Sequence, residues 1–163
     1  MSHLNNTSKS NFVKLDDCNN IIFAPQLHHN LLINNEIKLY PPILITSSSN
    51  IDRYIEVYVE KVLCDNILIS GVISNKIMYT STNKCSSKLY DVVKCYTTPF
   101  QAKICCSCNN NYLSPNDYEA HASIDNVISS NFSCIESLCN SSKLIALKLS
   151  EKYSIYITVQ KKA

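Results

Sequence analysis

The chain has 163 residues, enough to bury a sizeable core in one domain plus an extension, and its 15 basic and 13 acidic residues nearly balance. That balance excludes the basic footprint of a nucleic-acid binder and the polybasic patch of a membrane-surface protein. A single glycine excludes enzymes that cradle phosphates in Gly-rich loops.

Residues 1–20 are polar and end near Cys18. No apolar run follows the start, so no signal peptide is expected, and no stretch approaches the length of a membrane span. Residues 21–45 hold three short apolar runs, Ile21-Ile22-Phe23, Leu31-Leu32-Ile33 and Ile43-Leu44-Ile45. Pro25 and Pro41-Pro42 interrupt them, which predicts short edge strands rather than a helix. Ser47-Ser48-Ser49-Asn50 reads as a linker. Residues 1–50 are therefore expected to form an N-terminal arm with short edge strands, and residues 51–163 the main domain.

From Tyr54 the period-2 pattern is strong. Ile55, Val57 and Val59 alternate with Tyr54, Glu56, Tyr58 and Glu60, as in a half-buried strand. Asn66 marks a turn, and Ile67–Thr80 predicts the next strand. Gly71 inside it signals a bulge or a close approach. Leu89–Tyr96 and Phe100–Cys106 read as two strands parted at Thr98-Pro99, and 109–115 as a turn. Tyr118–Ile128 alternates again, with Tyr118, Ala120, Ala122 and Ile124 on one face. Ser129–Ser142 reads as a polar loop, and Leu144–Leu149 and Tyr153–Val159 as two closing strands. The sum predicts an all-β fold, a single antiparallel β-sandwich of jelly-roll-like type with an extended N-terminal arm.

Nine cysteines lie on this framework: Cys18, Cys64, Cys85, Cys95, Cys105, Cys106, Cys108, Cys134 and Cys139. An odd set cannot be consumed by bridges within one chain. All nine are disulfide or cross-link candidates. Cys105-Cys106-x-Cys108 is the densest group, and a strand there would send Cys106 and Cys108 to one face and Cys105 to the other. It lacks the paired Cys-x₂₋₄-Cys knuckles of structural zinc, so no metal site and no cofactor are expected. Reduced buried thiols remain the alternative. His28, His29 and His121 read as surface histidines, since no third ligand or spaced carboxylate accompanies them. Ten tyrosines suit sheet faces or packing interfaces. No catalytic residues stand out, and the chain is not expected to be an enzyme.

The segment from Tyr54 to about Ile128 resembles the SPOCS domain of spore-coat, exosporium and spore morphogenetic proteins in endospore-forming bacteria. The stretch EVYVEKVLCDNILISGVISNKIMY is similar to that family's strand, turn, I-x-G-x-I strand and closing aromatic. TTPFQAKI, YEAHASIDNVISSNF and KLIALKL resemble its later strands in order. The cysteine load departs from the morphogenetic members and resembles clostridial exosporium members that self-assemble into cross-linked arrays. The resemblance implies a structural protein of the spore surface, made in the mother-cell cytoplasm and partnered chiefly with itself, or with other spore-surface proteins. No membrane insertion is expected, since no stretch approaches the length of a span. A morphogenetic adapter and a Cys-ligated metal-binding or redox protein are the alternatives.

Overall fold

The computed structural model describes residues 26–63, 66–82, 88–105, 114–139 and 142–162. They form six strands: β1 (Leu27–Leu44), β2 (Asn50–Val62), β3 (Asn66–Thr82), β4 (Leu89–Cys105), β5 (Tyr118–Ser137) and β6 (Leu144–Lys161). A 3₁₀ turn at Pro115–Asp117, capped by Ser114, precedes β5. The fold is all-β. One antiparallel sheet has the order β1-β6-β5 and the other β2-β3-β4. Apolar side chains from both sheets meet in common clusters between them. Within the second sheet β2, β3 and β4 form a simple meander.

The strand patterns follow from side-chain parity. On the central strand β3, Ile67, Ile69, Ile73 and Ile77 are fully buried at odd positions. On the central strand β6, Leu149, Tyr153, Ile155 and Ile157 do the same. Each fully buried Ile or Leu contributes about 1.5–3 kcal/mol relative to exposure. Gly71 stands in a cross-strand row with Val57 and Phe100. A Cβ there would lie 2.4 Å from Phe100 Cζ and 2.8 Å from Val57 Cγ1. The close approach expected from that glycine is therefore a Phe100 ring laid over bare backbone.

Several expectations about individual strands are corrected. Residues 27–44 are one long strand paired with β6 from Leu27↔Val159 to Leu44↔Ile145, not a set of short pieces. Asn50, the last residue of the expected N-terminal segment, is the first residue of β2. Pro41-Pro42 make a register irregularity between Lys38 and Ile43 instead of ending the strand, and the Tyr40–Pro41 bond is cis. The carbonyls freed there accept hydrogen bonds from Tyr79 Oη and Ser81 Oγ, each 2.6 Å.

Pro99 likewise does not divide β4, which pairs with β3 without a break. β4 is an edge strand, where a missing N–H is tolerated. Ser129–Ser137 is not a loop but the second half of β5. Two bulges, at Ile124/Asn126 and Val127/Ser129, keep its core-facing side turned inward. Finally, β6 runs through Ser150-Glu151-Lys152 without interruption.

Candidate functional site

The breaks in apolar pattern within β1, β5 and β6 coincide in space. In the first sheet, Asn35, Glu151 and Ser130 form one cross-strand row. In the second, Arg53, Asn75 and Tyr96 form another. All six occupy core-facing parity. The rows meet across the sandwich, because the Arg53 guanidinium donates to the Glu151 carboxylate. Two main apolar clusters lie on either side of this polar layer, one containing Leu31, Ile69 and Ile155, the other Ile37, Ile77 and Leu149.

Glu151 is the centre of the layer. Its side chain is fully buried, whereas Arg53 retains 19% exposure. Besides Arg53, it accepts from Ser130 Oγ at 3.0 Å and from the Tyr153 hydroxyl. Arg53 also sits over the Tyr153 ring, 5.8 Å from its centroid. Burial works against the Arg53 charge, but the hydrogen bond and attraction of Glu151 outweigh it and raise its pKa. Burial, reinforced by Glu151, pushes Tyr153 up to about 12. Asn75 is fully buried beside Arg53, and its amide atoms have no hydrogen-bond partner among the described residues. Parity alone could have revealed Arg53 and Glu151, each flanked at i±2 by core-facing apolar residues.

Over this layer the outer face of the β1-β6-β5 sheet forms an open groove of about 560 Å³, lined by residues 34–36, 129, 131 and 150–152. Every lining residue carries a polar side chain, unlike the largely apolar pockets that hold small molecules. Beside it Lys148 Nζ donates to Glu36 at 2.7 Å. This pairing lowers the Glu36 pKa and raises that of Lys148.

Among the cross-link candidates, Cys95, Cys105, Cys134 and Cys139 are free and exposed. Cys95 and Cys105 share the outer face of edge strand β4, opposite Lys76 and Asn66. Ten strand residues separate them by roughly 33 Å, far beyond the reach of a bridge. Cys134 lies on edge strand β5 with φ 54, a left-handed backbone that non-glycine residues rarely adopt. Cys139 sits in the turn before β6. Cys18, Cys64, Cys85, Cys106 and Cys108 lie outside the described residues, so the 105–108 group is seen only through Cys105.

Strand alternation splits the His28-His29 pair. His28 stacks on Tyr156 at 5.4 Å, and His121 is exposed near Glu119. His29 corrects the surface expectation: it is buried at a core-facing position, and burial lowers its pKa. Among the described residues no group of three or more His, Cys, Asp or Glu side chains could hold a metal ion. Comparison of the chain with protein-family models, with curated proteins and with solved structures found no match.

Proposed function

We propose that this chain is a structural protein of the bacterial endospore surface that self-assembles and is then locked by disulfides into an exosporium or coat layer. The observation that carries the reading is the placement of the described thiols. All four are free and exposed; two lie on one edge strand, too far apart to bridge each other, and one on another edge strand. Thiols so placed meet thiols of other molecules more readily than one another.

The chemistry is thiol–disulfide exchange. A thiolate attacks a low-molecular-weight disulfide, forming a mixed disulfide and releasing one thiolate. A second protein thiolate displaces the other, leaving one protein disulfide and two small thiols. Non-covalent contacts set the register of the subunits, and oxidation fixes it. The location at the spore surface rests on the SPOCS resemblance, and Cys18 on the N-terminal arm is a further bridge candidate.

Oxidation of the reduced full-length chain by a low-molecular-weight disulfide tests this. Non-reducing electrophoresis should show a ladder that collapses on reduction, and electron microscopy should show ordered assemblies. Cys→Ser changes at 95, 105, 134 and 139 should shorten the ladder. A chain that stays monomeric under oxidant overturns the reading and favours the adapter, which would bind a different coat protein stoichiometrically.

A further inference from the structure

The two sides of the sandwich are closed to different degrees. On the β1/β4 side, Leu31, Ile33, Ala102 and Ile104 are buried. On the β2/β5 side the rim is half-buried: Ile55, Val57 and Val59 of β2 face the core beside Ala120, Ala122 and Ile124 of β5. No residue of β2 is fully buried. Alanines at two of the β5 positions leave the rim thin.

The four sheet edges also differ. Pro99 stands in the middle of β4, Pro41-Pro42 disrupt β1, and β5 carries two bulges. Prolines and bulges blunt an edge against added strands. β2 has no proline and a single bulge, between Val59 and Lys61 near its end, so Asn50 to Val59 is uninterrupted; unlike the uninterrupted Leu27–Lys38 stretch of β1, it borders the thinly closed rim. Among the described residues its only backbone ladder is with β3, so its other edge offers unpaired N–H and C=O groups.

We propose that β2 is the strand-accepting edge of this protein, and that its occupant is an extended segment of another polypeptide that alternates apolar and basic residues. The apolar side chains would cover Ile55, Val57 and Val59 and complete the thin rim. The basic ones would face outward, where Asp52, Tyr54, Glu56, Tyr58 and Glu60 follow one another along β2. Tyr54 and Tyr58 are each 60% exposed. Glu56 lies between them and has no polar partner among the described residues. A Lys or Arg opposite Glu56 gains an ion pair and two aromatic faces. A second copy of β2 is the wrong occupant, because pairing β2 with itself sets acidic rows side by side. Main-chain bonds supply affinity and the alternating side chains supply selectivity, as in other strand-addition interfaces.

The inference does not depend on cross-linking, so the test uses the full-length chain kept reduced. The isotope-labelled protein is titrated with a synthetic peptide of about eight residues alternating Val and Lys, and with its Val/Glu counterpart. The expected result is amide shift changes confined to β2 and its rim, with the Val/Lys peptide bound at least about tenfold more tightly. Glu56→Gln should shrink that preference and Glu56→Lys should invert it. Equal binding of both peptides, absence of binding, or changes centred on β1, β4 or β5 would each overturn the proposal. Concentration-dependent pairing of two β2 edges would overturn the choice of occupant.

Discussion

Arg53 on β2 and Glu151 on β6 stand 98 residues apart in the chain and form an ion pair that ties one sheet to the other. Such a pair is weak evidence for net stability, since desolvating two charges offsets much of their attraction. Its asymmetry is the useful property: losing one partner strands the other.

Arg53→Met should therefore destabilise the fold by about 3–5 kcal/mol, because the Glu151 carboxylate is left buried without its cation. The double variant Arg53→Met, Glu151→Leu should regain most of that loss. Urea unfolding of the wild type, both single variants and the double variant measures the coupling. Simple additivity of the single losses would contradict the pairing.

Gly71→Ala should cost about 1–3 kcal/mol through overpacking, since the new methyl collides with the Phe100 ring and Val57. Combining it with Phe100→Leu should relieve part of the clash, so the double variant should be less damaged than the sum predicts. Thermal unfolding of the three variants decides this.

His29 links stability to acidity. Its folded pKa lies below the ordinary 6.5 because burial penalises the imidazolium. Between 6.5 and that lower value the unfolded chain binds a proton that the folded chain refuses. Stability should thus fall as pH drops through this window, by at most about 1.4 kcal/mol per pH unit. His29→Leu should flatten that part of the curve. Denaturant midpoints across pH 4–8 are the measurement.

Tyr153 produces the opposite slope at high pH. Its folded value of about 12 exceeds the ordinary 10. The unfolded tyrosine loses its proton first, so this contribution is present below pH 10 and is lost as pH rises toward 12. Ultraviolet titration should show Tyr153 among the late-ionising phenols, and Tyr153→Phe should remove that late step.

The four exposed thiols should react with iodoacetamide in the reduced native chain at rates within about tenfold of a free cysteine. Peptide mapping should find label on Cys95, Cys105, Cys134 and Cys139 without denaturant. Protection of all four in reduced protein would contradict their exposure.

Local alternation was sufficient to read the all-β class and the inward faces of β2 and the first half of β5, because a strand's parity is written residue by residue, and Gly71 within the β3 run signalled a bulge or a close approach. The longer architecture was hidden at polar interruptions. Asn34-Asn35-Glu36, Ser129-Ser130-Asn131 and Ser150-Glu151-Lys152 resemble loop chemistry when each is read alone. Only the tertiary register brings their central residues to one level, opposite Arg53 and Asn75, where the partners sit on strands distant in the chain. The same holds for prolines: Pro99 reads as a strand break but leaves the β3–β4 register intact on an edge strand, and Pro41-Pro42 interrupt the β1 register without ending the strand. The cysteine count alone established that at least one thiol is left over from intrachain pairing. Which thiols face solvent depended on where β4 and β5 lie, at the edges of two different sheets, and pairing between distant segments settles that placement.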